Sequence, residues 1–537
     1  MIGNQSQIFF PSPDTRKKVA LEVEIELRKH YQPGKYPYKT TGGKIIKFLF
    51  NQYNSKLLDS IVGCLDKDCL AFILYQYELS GIMSDLFKKN KLSKTDKENW
   101  LHEGGLYRQT CDYLCDIFAS HSETESLNND WFSRLDRVWA LARMAIKIST
   151  IDNQEYMIFN SESDVIIHPP NQETFFGIEN PSEDKIFCIQ NIQNRSRVNI
   201  ELRSQYLEGP SKEHDFIVHQ EILEKAFEDS FEIKYSHYSY FLTSLHESVS
   251  PITSFKKIPA ISHKQLKTLA EESGFRDSEI TAFLRLASLS KKDFEKNPRQ
   301  IWNSRQTNRV SKKPFIEFTF KNEKWLLWSN KKLNEYFILF DLDISFQSLL
   351  PEFRSNPLEK LLSQINRANG KWFEETCIKM LRSIGIHGSS VKSKLGLDCT
   401  ISVPDFIGEI DFLGIDTNNK SIVVFEFKMT NTGYEPKGHR KELSDFIYSK
   451  KSYRKTFLRK VNWVENNFDS IKPILSQKYD VKDLNNTLYF TFLTHYASIA
   501  PCFMEDIPCP TAYEFVDGYI KNQNVWPYSI GIKSISK

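Results

Sequence analysis

Glu409, Asp411, Glu426 and Lys428 lie within one stretch, GEIDFLGIDTNNKSIVVFEFKMT from Gly408 to Thr430, whose other residues read mainly as two apolar strands about a polar turn. Asparagine tolerates the positive φ of tight hairpin turns. A turn at Asn418 and Asn419 puts Asp411 opposite Glu426, Glu409 opposite Lys428, Ile410 opposite Phe427 and Phe412 opposite Phe425. Directly opposed residues share a face of a sheet. One face is then apolar at this end, while the other collects three carboxylates and an ammonium. Carboxylates within about 5 Å of one another repel unless something positive lies between them. A hard divalent cation such as Mg²⁺ answers that requirement. A buried salt-bridge network, with Glu409 paired to Lys428 and Asp411 held by backbone donors, answers it differently.

Upstream, NGKWFEETCIKMLRSIGI opens with a glycine and continues as a helix, with Phe373, Cys377, Met380, Leu381 and Ile384 apolar at helical spacing. Glu374 borders that stripe and can point toward the sheet; Glu375 faces solvent. The glycine-then-helix with Phe373 and Glu374, the GEID strand and the EFK triplet Glu426, Phe427, Lys428 together resemble the PD-(D/E)xK, or restriction-endonuclease-like, nuclease superfamily. Mrr-type and Holliday-junction-resolvase-like members are nearest, and the resemblance covers roughly residues 356–529.

Carried onto this chain, the resemblance implies that Asp411 and Glu426 bind a catalytic Mg²⁺ or Mn²⁺, with the Phe427 carbonyl as a further ligand. Lys428 would orient or activate the attacking water, and Glu374 would act through a water on the metal or a second metal. The implied reaction is in-line hydrolysis of a phosphodiester. A literal Pro404–Asp405 pair also exists, but Asp405 is not opposite Glu426 in this register, so Asp411 ranks above it. Glu409 is either a partner of Lys428 or an extra ligand.

From Lys437 to Lys460 there are nine basic residues (Lys437, Arg440, Lys441, Lys450, Lys451, Arg454, Lys455, Arg459 and Lys460) and two acids, interleaved with Tyr448, Tyr453 and Phe457. Basic residues with aromatic neighbours suit a phosphate backbone, double-stranded DNA first among the candidates. A solvated helix face is the alternative.

The elements that must position these residues make up one part of a larger chain. At 537 residues, 40% hydrophobic and 13% aromatic, it can bury a large core. The expected class is multidomain α+β. Residues 1–150 read as a helical N-terminal domain and 151–250 as a mixed α/β region. Residues 251–345 read as a helix-turn-helix-like unit, a basic linker and a hairpin. Residues 356–537 read as an α/β restriction-endonuclease-like domain with a mixed central sheet flanked by helices. In the third region, Ala270, Gly274 and Ile280 have helix-turn-helix spacing, yet the second helix carries little basic equipment, so a structural hairpin of helices is expected. Lys291 to Pro314 reads as a linker or a nucleic-acid-facing loop, with a solvated basic linker expected first.

Lysine and arginine total 71 against 68 acids, so the formal charge of +3 excludes a global basic footprint. The nine cysteines contain no CxxC pair, which fits a reducing cytoplasm better than a disulfide framework. A zinc set from Cys64, Cys69, Cys111 and Cys115 is conceivable, although buried free cysteines are common. The opening residues lack a signal-peptide h-region, and no run of about 18 uncharged apolar residues occurs. Neither secretion nor membrane spanning is expected. The implied function is a DNA endonuclease of restriction or antiphage-defence type, its N-terminal regions selecting substrate, sensing a signal, or binding a second copy or protein partner. The alternatives are a nucleic-acid-binding or scaffold protein with an idle nuclease fold, and a junction-resolving or repair nuclease.

Overall fold

The computed structural model describes residues 8–121, 130–155, 162–180, 192, 195–196, 198–199, 201–206, 216–245, 253, 255, 257–296, 309–345, 355–396, 401–430 and 436–535. The chain is mixed α+β. It forms two compact units, one from Met1–Pro181 with His219–Ser363, the other from Ser182–Val218 with Gln364–Lys537. The region expected at 151–250 is therefore divided between units. Among the described residues no helix is long and apolar enough to cross a membrane.

In the first unit, helices Pro13–Arg28, Gly43–Ile61, Lys67–Lys88, Lys94–Ser120 and Trp131–Gln154 pack by apolar stripes. In the second of these, Ile45, Ile46, Leu49, Phe50, Tyr53, Leu57 and Ile61 recur every three or four residues and are buried. Strands β1 (Gly34–Pro37), β2 (Asp164–Ile167) and β3 (Phe176–Glu179) form a small antiparallel sheet. Cys64, Cys69, Cys111 and Cys115 are fully or almost fully buried in the apolar core, where burial pushes each thiol's pKa up.

The helix-turn-helix spacing corresponds to helices His263–Glu272 and Asp277–Ala287, with Gly274 at φ +79° between them. Phe241, from helix Tyr235–Ser244, lies 4.7 Å from Phe275 and 4.8 Å from Phe283 between ring centroids, completing a three-helix unit. Strands β4 (Ala260–Ser262), β5 (Ser288–Leu289), β6 (Phe315–Phe320) and β7 (Glu323–Leu327) make a sheet in the order β4-β7-β6-β5 beside it. Arg276 pairs with Glu228 and Glu279, and Lys267 with Asp277, so these cations are engaged within the unit. The solvated linker expected over Lys291–Pro314 needs correction at both ends, since Lys291–Lys296 forms a short helix with Phe294 buried. Lys312 and Lys313 are buried, and Lys313 pairs with Asp293 at 2.8 Å. Residues 297–308 lie outside the described residues.

The second unit is built on strands β8 (Ile386–Val391), β11 (Ile410–Asp416), β12 (Ser421–Lys428), β13 (Thr487–Thr494) and β14 (Ile532–Ser534), in the order β14-β13-β12-β11-β8. Short strands β9 (Lys394–Leu395) and β10 (Ile401–Ser402) pair separately. β12 and β13 are parallel and the other neighbours antiparallel. A parallel pair needs a crossover, and helices Pro436–Leu443, Tyr453–Asn466 and Phe468–Tyr479 supply it.

Leu413, Ile415, Ile422 and Val424 pack with Phe457, Val461, Val464 and Ile471. Phe412, Val423, Phe425 and Phe427 pack with Phe373, Cys377, Phe515 and Val516. Each sheet face thus buries against helices, which is why both strands are nearly all apolar. Gly370 does not open the Glu374 helix as expected, because that helix already runs from Asn356 to Ser383.

Candidate functional site

The β11–β12 register pairs Phe412 with Phe425, Leu413 with Val424 and Asp416 with Ser421, as a hairpin centred on Asn418 and Asn419 requires. The positive φ, however, belongs to Lys420 at 48° and not to either asparagine. Buried Asp416 accepts the Asn418 and Asn419 backbone N–H groups, each at 3.0 Å, and the Tyr519 hydroxyl. This side-chain acceptor spares the asparagines a left-handed backbone.

At the other end of the hairpin the β8–β11 register shifts between Ile410 and Leu413. Such a bulge re-aims side chains. Ile410 consequently packs with Val391 and Leu413, correcting its expected place on the Phe412 and Phe427 face. Asp411 lies within the irregularity, and its Oδ2 accepts the Phe427 N–H at 2.9 Å. The carboxylate is thereby held across the gap toward β12.

Two lysines bridge the acids. Lys428 Nζ is 2.9 Å from Glu426 Oε1 and 3.5 Å from Asp411 Oδ2. Lys460 Nζ, from helix Tyr453–Asn466, is 2.6 Å from Glu426 Oε2 and 3.6 Å from Asp411 Oδ1. Glu426 is 3% exposed and Lys460 5%, so their contact is a buried ion pair, with Lys428 and Asp411 as the further partners. Burial alone would depress the Lys428 ammonium's pKa, but Glu426 and then Asp411 overcome it and raise the value. The Tyr453 ring lies 5.2 Å from Lys428 Nζ.

No protein-family model, curated protein or solved structure matches the chain. The site's chemistry therefore rests on its geometry.

Glu374 is exposed on its helix. Partial burial, then the charges of Asp411 and Glu409, raise its carboxyl above the ordinary range. Glu409 precedes β11 and pairs with Lys392 at 3.6 Å, so the partnership with Lys428, one of the two roles read for it, is not formed. Asp405 sits exposed in a turn closed by the Ile407 N–H to the Pro404 carbonyl.

The donor set suits a small hard cation only in part. Among the described residues no group of three or more His, Cys, Asp or Glu side chains could hold a metal by itself. The Phe427 carbonyl helps: a residue in an extended strand points its N–H and C=O to the same side, and the Phe427 N–H already points at Asp411. Asp411, Glu426 and this carbonyl are three oxygen donors, the ligand type Mg²⁺ and Mn²⁺ take. They fit an ion that keeps several waters.

The basic stretch is not one face. It breaks into helix Pro436–Leu443, a π-turn at Ser444–Tyr448 and helix Tyr453–Asn466. Lys441, Lys450, Lys451, Lys455 and Arg459 are exposed. Arg440 stacks over Tyr448 at 5.2 Å, and Arg454 pairs with Asp506 at 2.6 Å. Lys460 turns inward, which corrects its expected place on a phosphate-facing surface. The Lys437 side chain lies outside the described residues.

Sequence reasoning also missed Glu442, whose carboxylate accepts the Ser498 hydroxyl and the Ile499 N–H. Burial pushes its pKa up to about 7. Its place among basic residues gave no apolar signal that its carboxylate is half-buried against Ser498 and Ile499.

Proposed function

We propose that the second unit is a divalent-metal-dependent nuclease, a DNA endonuclease of restriction or antiphage-defence type. The observation that carries this reading is the convergence of Asp411, Glu426 and Lys428 at the end of one buried hairpin. Asp411, Glu426 and the Phe427 carbonyl would hold Mg²⁺ or Mn²⁺, which when bound would supply charge stabilisation and a nucleophile at neutral pH. Lys428, more exposed than Lys460, orients water and offsets charge developing on the phosphate. Glu374 borders the site as a proton acceptor whose raised pKa suits that task. Lys441, Lys450, Lys451, Lys455 and Arg459 supply exposed charge for a phosphate backbone. Seven free cysteines among the described residues accord with a reducing cytoplasm. The first unit selects substrate, senses a signal or recruits a second copy.

The experiment is cleavage of plasmid, linear duplex, four-way junction and RNA with Mg²⁺ or Mn²⁺, by wild type and Asp411→Ala. Wild type cuts DNA and the variant does not; equal activity of the two would sink the enzyme reading. Preference for the four-way junction would favour a resolving nuclease instead. One observation favours a second reading, an idle fold that binds or scaffolds: the two acids are already matched by two lysines. That reading gives DNA binding without metal-dependent cleavage of any substrate.

A further inference from the structure

Glu426 and Asp411 are matched in charge by two ammoniums of the chain itself, each of which contacts both acids. The two ammoniums are not equivalent. Lys428 stands on the same strand as Glu426, is partly exposed, and keeps the Tyr453 ring as a further partner. Lys460 comes from a helix on one face of the sheet and is deeper. Among the described residues its ion pairs are with these two carboxylates. A divalent ion held by Asp411 and Glu426 would meet Lys460 at close range, and like charges that close strongly disfavour one another in a poorly solvated site.

We propose that Lys460 is a tethered counter-cation that competes with the divalent ion for Asp411 and Glu426. It holds both carboxylates facing one point before a metal arrives, and it sets the metal concentration at which the site loads. When the ion enters, Lys460 gives up its contact with Glu426 while Lys428 stays. Asp411 and Glu426 with one divalent ion and Lys428 then carry one net positive charge, which matches one phosphodiester. With Lys460 retained in contact the site would carry two. This inference rests on the nuclease reading for the identity of the ion and adds the regulation of its binding.

The test is calorimetric titration of the full chain with Mn²⁺, without nucleic acid, for wild type, Lys460→Met, Lys460→Arg and Asp411→Ala. Lys460→Met is expected to bind at least tenfold tighter than wild type, Lys460→Arg no tighter, and Asp411→Ala not measurably. A lysine that merely supports the fold predicts the opposite, weaker binding on its removal. The same competition is read in wild type by acylating lysines with and without saturating Mn²⁺ and locating them by mass spectrometry. Modification of Lys460 rises several-fold with Mn²⁺ in wild type and not in Asp411→Ala. If Lys460→Met binds no tighter, or fails to fold while Lys460 in wild type stays equally protected with Mn²⁺, the inference is overturned and the metal reading stands. If wild type binds no Mn²⁺ that depends on Asp411, both fall.

Discussion

Lys460 Nζ and Glu426 Oε2 meet at 2.6 Å although 34 residues separate them, and both side chains are almost wholly buried. Removing one member of a buried pair costs roughly 3–5 kcal/mol, and Lys428 beside Glu426 and Asp411 beside Lys460 hold this loss to the lower end. Glu426→Gln and Lys460→Met are each expected to destabilise the chain by about 3 kcal/mol in metal-free urea unfolding. The double variant is expected to lose at least about 1.5 kcal/mol less than the two losses combined, because both changes remove the same contact. Additive losses would mean that Lys460 draws its stabilisation from elsewhere.

This pair shows what the sequence could carry. The hairpin register was legible, because turn asparagines and two apolar runs allow only one pairing that buries both faces. The gathering of Asp411, Glu426 and Lys428 followed from it. Lys460 was readable in principle, since it lies three residues after Phe457 and directly before Val461, on the stripe its helix buries. Its charge made it look like a surface residue. The bulge at Ile410 and the pairing of Glu409 with Lys392 were hidden, because both depend on β8 and the segment after it. Strand neighbours remote in sequence leave no local periodicity to read.

Two glycines where β8 meets β11 are required by close approach. Gly388 pairs with Gly414, and a Cβ on Gly414 would run into the His387 carbonyl. One on Gly388 would run into the Phe412 ring. Gly414→Ala is expected to cost at least about 2 kcal/mol by overpacking. Gly370, inside the Asn356–Ser383 helix with open space where a Cβ would go, behaves oppositely. Gly370→Ala is expected to stabilise by about 0.5–1 kcal/mol. Thermal midpoints moving in opposite directions check the pair of claims; a fall for both would remove the distinction.

Glu442 gives stability a specific pH dependence. Its folded value of about 7 stands above the ordinary 4.5, so the folded chain holds this proton more tightly than the unfolded chain. The slope of stability with pH follows the excess of protons bound by the unfolded state, here negative. The contribution is full below about pH 4.5 and is lost as pH rises through 7, on the order of 3 kcal/mol. Glu442→Gln keeps an acceptor for Ser498 and Ile499 without the charge. It is expected to leave stability at pH 4.5 nearly unchanged and to raise the urea midpoint at pH 8. An unchanged difference between the two pH values would exclude Glu442 as the titrating group.

On the proposed nuclease reading, nucleic-acid binding separates the exposed lysines from the occupied ones. Each phosphate neutralised releases counterions and contributes about −0.9 to the slope of log K against log salt for duplex DNA. Lys450 and Lys451 are exposed in the break between two helices, whereas Arg454 is held by Asp506. Lys450→Glu with Lys451→Glu is expected to weaken duplex binding uniformly across sequences and to flatten the salt slope by one to two phosphate contacts. Arg454→Ala changes the slope by less than half a contact, because its charge is already balanced. Fluorescence anisotropy of a labelled duplex between roughly 50 and 200 mM salt measures both. A slope flattened as much by Arg454→Ala as by the lysine pair would place the DNA against the Asp506 side of the helix instead.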